Sequence, residues 1–305
     1  MSRFIVRRLI HAVVVLLVLS FLTFGLLHLG GDPVSLMAPD YFSEEDVAEL
    51  QRKMGLDQPF HVQYLAYMKN LAQGDLGMSF MQHRPALPIV LERLPATLLL
   101  ATLAMLLTVV IAIPLGILGA VKRGSLWDRL SLVFAMSGKA LPSFWFGVMM
   151  ILIFSLWLGW LPAFGGGSWQ HVILPALTLA LANMAIVTRI VRSAMIDVLG
   201  QDYVKTARAK GLAERVVIGG HAFRNASLPT VTVIGLEFGG LLGGSVITET
   251  VFAYPGTGYL AIQAIRAKDF PVVLCVVFLI AIFTLAITLL VDIIYAVLDP
   301  RLTYH

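Results

Sequence analysis

Six stretches of this chain are long and apolar enough to cross a lipid bilayer, and that constrains the fold more than any other feature. A spanning helix needs roughly 20 mostly apolar residues, at about 1.5 Å per residue over some 30 Å of hydrocarbon. The stretches are Leu9–His28, Ala96–Val121, Val133–Leu158, Val172–Thr188, Pro229–Val251 and Val272–Leu298. With lipid as solvent every backbone polar group must be satisfied internally, which predicts helices. Charged residues make up only 13% of the chain, against about 25% in soluble domains, so no solvated globule can form. The fourth stretch is the shortest and is rich in Ala and Thr, which suits a helix packed inside the bundle. Pro114 and Pro142 fall within these spans, where neighbouring helices can satisfy the freed carbonyls. The first stretch also resembles a signal peptide, with Arg3, Arg7 and Arg8 as its basic start. It is longer than an h-region, however, and no small-residue cleavage site follows His28, so it reads as an uncleaved span.

Charge sets the expected orientation. Arg3, Arg7 and Arg8 precede the first span, and Lys122, Arg123 and Arg129 lie between the second and third. Arg189, Arg192, Lys205, Arg208, Lys210, Arg215 and Arg224 lie between the fourth and fifth, and Arg301 follows the sixth. These fourteen share one side, against seven on the other. Five of those seven sit in a long first loop that also carries nine acids. The positive-inside rule therefore places both termini in the cytoplasm. The same asymmetry accounts for the net charge of +4 without nucleic acid. The single cysteine, Cys275, excludes an intrachain disulfide, and no Cys/His spacing suggests a metal site.

Two segments outside the spans are unusual. The first external loop, residues 30–95, is too long to be a connector and reads as a small subdomain. Ser43 followed by Glu44, Glu45 and Asp46 predicts a helix running to about Met54, where Gly55 stops it; a second helix is expected over His61–Leu71. The loop either packs on the bundle or docks an external partner. The other segment is the basic loop over residues 189–228. Asp202 is placed to cap a helix in which Tyr203, Val204, Ala207 and Leu212 recur at helical spacing, with Gly211 ending it. A further helical stretch through His221 is expected to end before Pro229. A solvated structural loop and a docking surface for another protein both fit that pattern.

The run Asp202-Tyr203-Val204-Lys205-Thr206-Ala207-Arg208-Ala209-Lys210-Gly211-Leu212, with Arg224-Asn225-Ala226-Ser227-Leu228-Pro229 downstream, resembles the coupling loop of type I ABC importer permeases. The similarity is to the dipeptide/oligopeptide/nickel permease family, in its first (B-type) subunit. Gly31-Asp32-Pro33, Gly74-Asp75-Leu76-Gly77, Leu141-Pro142-Ser143-Phe144-Trp145, Phe252-Ala253-Tyr254-Pro255-Gly256 and Leu298-Asp299-Pro300-Arg301 resemble further family landmarks, in order along nearly the whole chain. Against the general permease motif, Lys205 and Thr206 stand where Glu and the first Ala would, and only Ala207 agrees. This family departs from that motif in the same way.

The resemblance implies an all-α integral membrane protein of type I ABC importer permease fold, with six transmembrane helices and a periplasmic subdomain between the first two. The whole chain would be one permease domain, with residues 96–298 as its core, in a bacterial inner membrane. It implies that Val204, Lys205, Ala207, Arg208, Gly211 and Leu212 dock a cytoplasmic ATPase, whose closure on ATP drives the spans between inward- and outward-facing states. No GxxxxGK[ST] motif is present, so ATP and Mg²⁺ are expected in two separate ATPase subunits, with no cofactor bound by this chain. A homologous second permease subunit and a soluble substrate-binding protein complete the implied partners. The first loop and Phe252–Pro271 are candidate contacts for the binding protein.

Glu237, Gly239, Gly240 and Gly243 in the fifth span are the candidate translocation path. Charge at mid-membrane is costly and faces the interior or a wet cavity, so Glu237 either favours a cationic group such as a peptide amino terminus or bonds a neighbouring helix. The glycines either wall a pore or let helices approach closely. Lys139 and Asp292 lie nearer the expected cytoplasmic ends and read as snorkelling or paired. The implied substrates are di- and oligopeptides, with glutathione or nickel and metal chelates as alternatives. An intramembrane serine protease would need a GxSG-type nucleophile, and no such motif occurs. A channel or secondary transporter leaves the loop at 202–212 without a purpose.

Overall fold

The computed structural model describes residues 2–29, 45, 49, 51–52 and 57–298. In chain order the helices are α1 (Ser2–Leu29), α2 (Phe60–Ala72), α3 (Ala86–Val121), α4 (Leu126–Ala140), α5 (Ser143–Met150), α6 (Gln170–Leu199), α7 (Asp202–Ala209), α8 (Arg224–Val251), α9 (Thr257–Arg266) and α10 (Phe270–Leu298). Among the described residues the sole β feature is one isolated bridge, Met78 to Pro85. The expected helix over Ser43–Met54 lies largely outside the described residues. The helix expected over His61–Leu71 is α2.

Five helices are long and apolar enough to span a membrane: Val6–Gly25, Ala86–Val121, Gln170–Leu199, Glu214–Val251 and Phe270–Ile293. The third expected span, Val133–Leu158, is not one straight helix. It is a pair, Leu126–Gly138 and Ser143–Trp157, bent by 103°. Pro142 causes the break, because its ring disfavours helical backbone at the preceding residue. Leu141 is accordingly extended, at φ −86° and ψ 128°. Beyond α5 the helix widens into a π turn over Ile151–Trp157.

Two other expectations shift. The second span begins ten residues early, so α3 is about 54 Å long. The fifth does not start at Pro229, which sits inside α8; a short turn at Glu214–Val216 and a π turn over Val217–Phe223 lead into it.

The chain divides into two compact units, one comprising Met1–Pro95 and Gly256–Ile282, the other Ala96–Pro255 and Phe283–His305. In the first, Phe21 and Phe24 of α1 pack on Phe60, Tyr64 and Tyr67 of α2, with ring centroids 5.3–5.9 Å apart. Ser20 and Tyr64 share a 2.9 Å hydrogen bond beside that cluster. Leu76, Ile89, Val90, Leu260, Val272 and Val276 form a buried apolar core in the same unit. Buried Asp269 closes the unit by accepting hydrogen bonds from the Ser79 hydroxyl and the Phe80 amide.

In the second unit, α6 is the centre. Of its most apolar window 67% is buried, against 33% or less for each of the other four spans. Its Ala- and Thr-rich sequence is the cause, since small side chains let α4, α5 and α8 pack close on it. Gly138 shows how close: a Cβ there would lie 2.7 Å from the Leu181 carbonyl oxygen. Gly116 of α3 meets the backbone of Thr188 at 2.8 Å in the same way.

Candidate functional site

Beyond α6 the chain turns through Gly200 and Gln201 into α7. Gln201 is the extended N-cap residue, and Asp202 is the first helical residue rather than the cap. An acid in that first turn still complements the helix dipole. The Lys205 ammonium lies 2.9 Å from the Asp202 carboxylate and holds it below the usual carboxylate range. At the other end, Gly211 has φ +76°, a left-handed conformation that ends the helix and that a Cβ makes costly. Arg208 then reaches forward to Glu214, with Nη2 2.7 Å from Oε1, which raises the guanidinium further.

An eight-residue helix is too short to be stable alone. α7 is held because Val204 and Ala207 are buried against Val217, with Val198 and Leu199 packed alongside. Val204 is 0% exposed, so its side chain contributes about 1.5–3 kcal/mol to this seat. The Tyr203 hydroxyl adds a tie, accepting from Asn225 Nδ2 at 2.9 Å.

This geometry divides the six candidate docking residues. Val204 and Ala207 point into the chain's own core and cannot touch a partner while α7 is seated; helical periodicity gives their shared face but not what covers it. Lys205, Arg208, Gly211 and Leu212 remain on the surface, together with Tyr203 and Lys210. A Cβ at Gly211 would meet no chain atom within 4 Å, so only the backbone conformation requires glycine there.

The fifth-span glycines divide as well. A side chain at Gly235 would overlap Val291 of α10, and at Gly239 it would reach Thr284, Ile287 and Thr288 at 3.7–3.9 Å. Gly239 is buried and belongs to a helix–helix contact with α10. Gly240, Gly243 and Gly244 are exposed and have nothing within 4 Å of a built Cβ. Glu237 precedes Gly240 by three residues and Gly244 by seven, so it borders the same open stripe. It is half-buried and makes no ion pair among the described residues.

Two buried carboxyl side chains were not legible from pattern. Glu249, in the last turn of α8, is fully enclosed; its Oε1 accepts from Thr97 at 2.8 Å and Ser245 at 3.0 Å. Thr97 lies more than 150 positions away, and only the pairing of α3 with α8 reveals it. Asp128, at the start of α4, binds Arg192 of α6 through two hydrogen bonds of 2.6 and 3.0 Å, and also accepts from the Gly124 amide. That fork ties the end of α6 to the turn between α3 and α4.

Comparison with known proteins bears directly on this arrangement. Residues 112–304 match the family model of binding-protein-dependent transport system inner membrane components, and residues 1–101 match the N-terminal model of the same class. The chain belongs to this permease family.

It is 40% identical over its whole length to the glutathione transport system permease protein GsiC of Escherichia coli K12, and equally to its counterpart in Salmonella paratyphi A, covering 100% of each. Its fold is shared with the inward-facing MetNI methionine ABC transporter, at a TM-score of 0.57 and 18% identity over 69% of this chain and 96% of that one. An amino acid ABC transporter solved with histidines is similar at a TM-score of 0.52, over 70% and 94% of the chains. The permease is thus a multi-pass inner-membrane protein of type I fold and the transport subunit of an ABC importer. ATP hydrolysis belongs to separate subunits, and substrate arrives from a binding protein.

Proposed function

We propose that this permease carries di- and oligopeptides, or a related small solute, and that α7 is the element through which an ATPase moves it. The observation behind the second part is the seat of α7. Its apolar face is buried in the permease, and its outer face is charged and exposed. Motion imposed on the exposed Lys205, Arg208 and Leu212 would pass through Val204 and Ala207 to the ends of α6 and α8. Both termini and this loop are cytoplasmic in this reading, as their excess of Lys and Arg requires. The working transporter pairs the chain with a homologous permease and two ATPases, which bind the ATP and Mg²⁺.

Within the peptide class, the relatives named for glutathione, itself a tripeptide, make it the first substrate to try. The test is reconstitution with the second permease, both ATPases and the binding protein in proteoliposomes, using labelled glutathione and dipeptides. ATP-dependent uptake of either supports the reading. Uptake only of nickel or a metal chelate would replace the substrate class, and uptake without ATP would overturn the mechanism.

A further inference from the structure

Two arginines stand one turn apart on α6 and have opposite surroundings. Arg192 is neutralised by Asp128, both of whose oxygens are engaged. Arg189 makes no ion pair among the described residues and is exposed. Beside it lies a cavity of about 120 Å³ whose other walls are apolar: Leu132, Ala135 and Met136 from α4, Ala185 and Ile186 from α6. Arg189 is ten residues from the end of α6, about 15 Å inside the helix. It directly follows the fourth expected span, Val172–Thr188, so this cation and the cavity beside it lie at the expected cytoplasmic end of that span.

We propose that this cavity is a substrate subsite, in which Arg189 takes the carboxylate of a peptide and the apolar walls take the side chain beside it. The planar guanidinium fork matches a carboxylate through two parallel hydrogen bonds. An apolar cavity of about 150 Å³ admits benzene, so one slightly smaller suits a branched aliphatic side chain. A lipid headgroup site gathers several Lys and Arg. Here the neighbouring Arg192 is already paired, which favours a ligand with a single anionic group.

This rests on the peptide reading, and the experiment separates the two. Uptake of Gly-Leu, Gly-Leu-amide and Gly-Gly is measured in proteoliposomes of the complete transporter. The wild type is expected to prefer Gly-Leu to its amide. Arg189→Gln raises the KM for Gly-Leu roughly 10- to 100-fold, the range for a lost charged hydrogen bond, while the amide loses far less. Arg189→Lys recovers part of the preference. Met136→Trp, which fills the cavity, lowers uptake of Gly-Leu relative to Gly-Gly. Equal losses for acid and amide would mean a structural role and overturn the proposal, as would a wild type that does not distinguish them. Unchanged selectivity in Arg189→Gln, with loss of co-purifying phosphatidylglycerol by native mass spectrometry, would reassign the cavity to lipid. If the wild type moves no peptide, the peptide reading fails, and this inference with it.

Discussion

Replacing Val204 by alanine isolates the seat of α7 from its outer face. The side chain is fully buried against Val217, with Val198 and Leu199 packed alongside. Two methyl groups are lost at about 0.8 kcal/mol each, and the residual cavity brings the cost to about 2 kcal/mol. An eight-residue helix has little stability of its own to absorb that loss. The seated population should therefore fall about 30-fold relative to the unseated one. Hydrogen exchange on the complete transporter reads this directly: amides of residues 204–211 should exchange faster by about that factor, while those in the middle of α6 do not change. Lys205→Ala, on the exposed side, should leave exchange nearly unchanged yet weaken ATP-driven uptake. If Val204→Ala exchanged like the wild type, burial would not hold α7, and the route from its outer face to α6 and α8 would be wrong.

Gly211→Leu should abolish uptake while leaving membrane insertion intact, because a left-handed residue with a Cβ costs about 1–2 kcal/mol and displaces the loop; normal uptake would count against the docking assignment. Asp128→Asn should lower the thermal midpoint of the purified transporter, since breaking a buried ion pair costs up to about 3–5 kcal/mol, less here because Arg192 is partly exposed; an unchanged midpoint would show the fork to be dispensable. The Asp202 carboxylate is held low by Lys205, so its contribution is present above the ordinary carboxylate pKa and disappears as pH falls through the lowered value. Protection of α7 in the wild type should accordingly weaken only in acid, and Asp202→Asn should remove that dependence. Glu237→Gln should raise the KM for peptides with a free amino terminus, and identical kinetics would remove Glu237 from the path.

Much of the fold was legible because a membrane helix is specified locally. The spans follow from runs of apolar residues, and the end of α7 follows from one glycine that can adopt φ +76°. The bend at Leu141 was harder to read. A proline inside a span is tolerated when neighbours compensate, as at Pro114, Pro175 and Pro229, and here it breaks the helix instead. Sequence does not distinguish the two outcomes, because the difference lies in what packs around the proline.

The candidate site shows the same boundary. Val204 and Leu212 look equivalent as apolar residues on one short helical pattern, yet the first is enclosed and the second is 40% exposed. Gly239 and Gly240 are adjacent and identical in composition, but one lies on α10 and the other opens to free space. Asp128 and Arg192 are 64 positions apart, and Thr97 and Glu249 are 152 apart. The sequence by itself determined a membrane protein of this permease family, its spans, its expected orientation and the place of its basic loop. Those depend on hydropathy, charge asymmetry and the order of local motifs. Only the tertiary structure decided which residues of the loop face outward, which glycines pack and which arginine of α6 pairs with Asp128. Those are properties of contacts between distant segments, and neither periodicity nor composition specifies what a helix face meets.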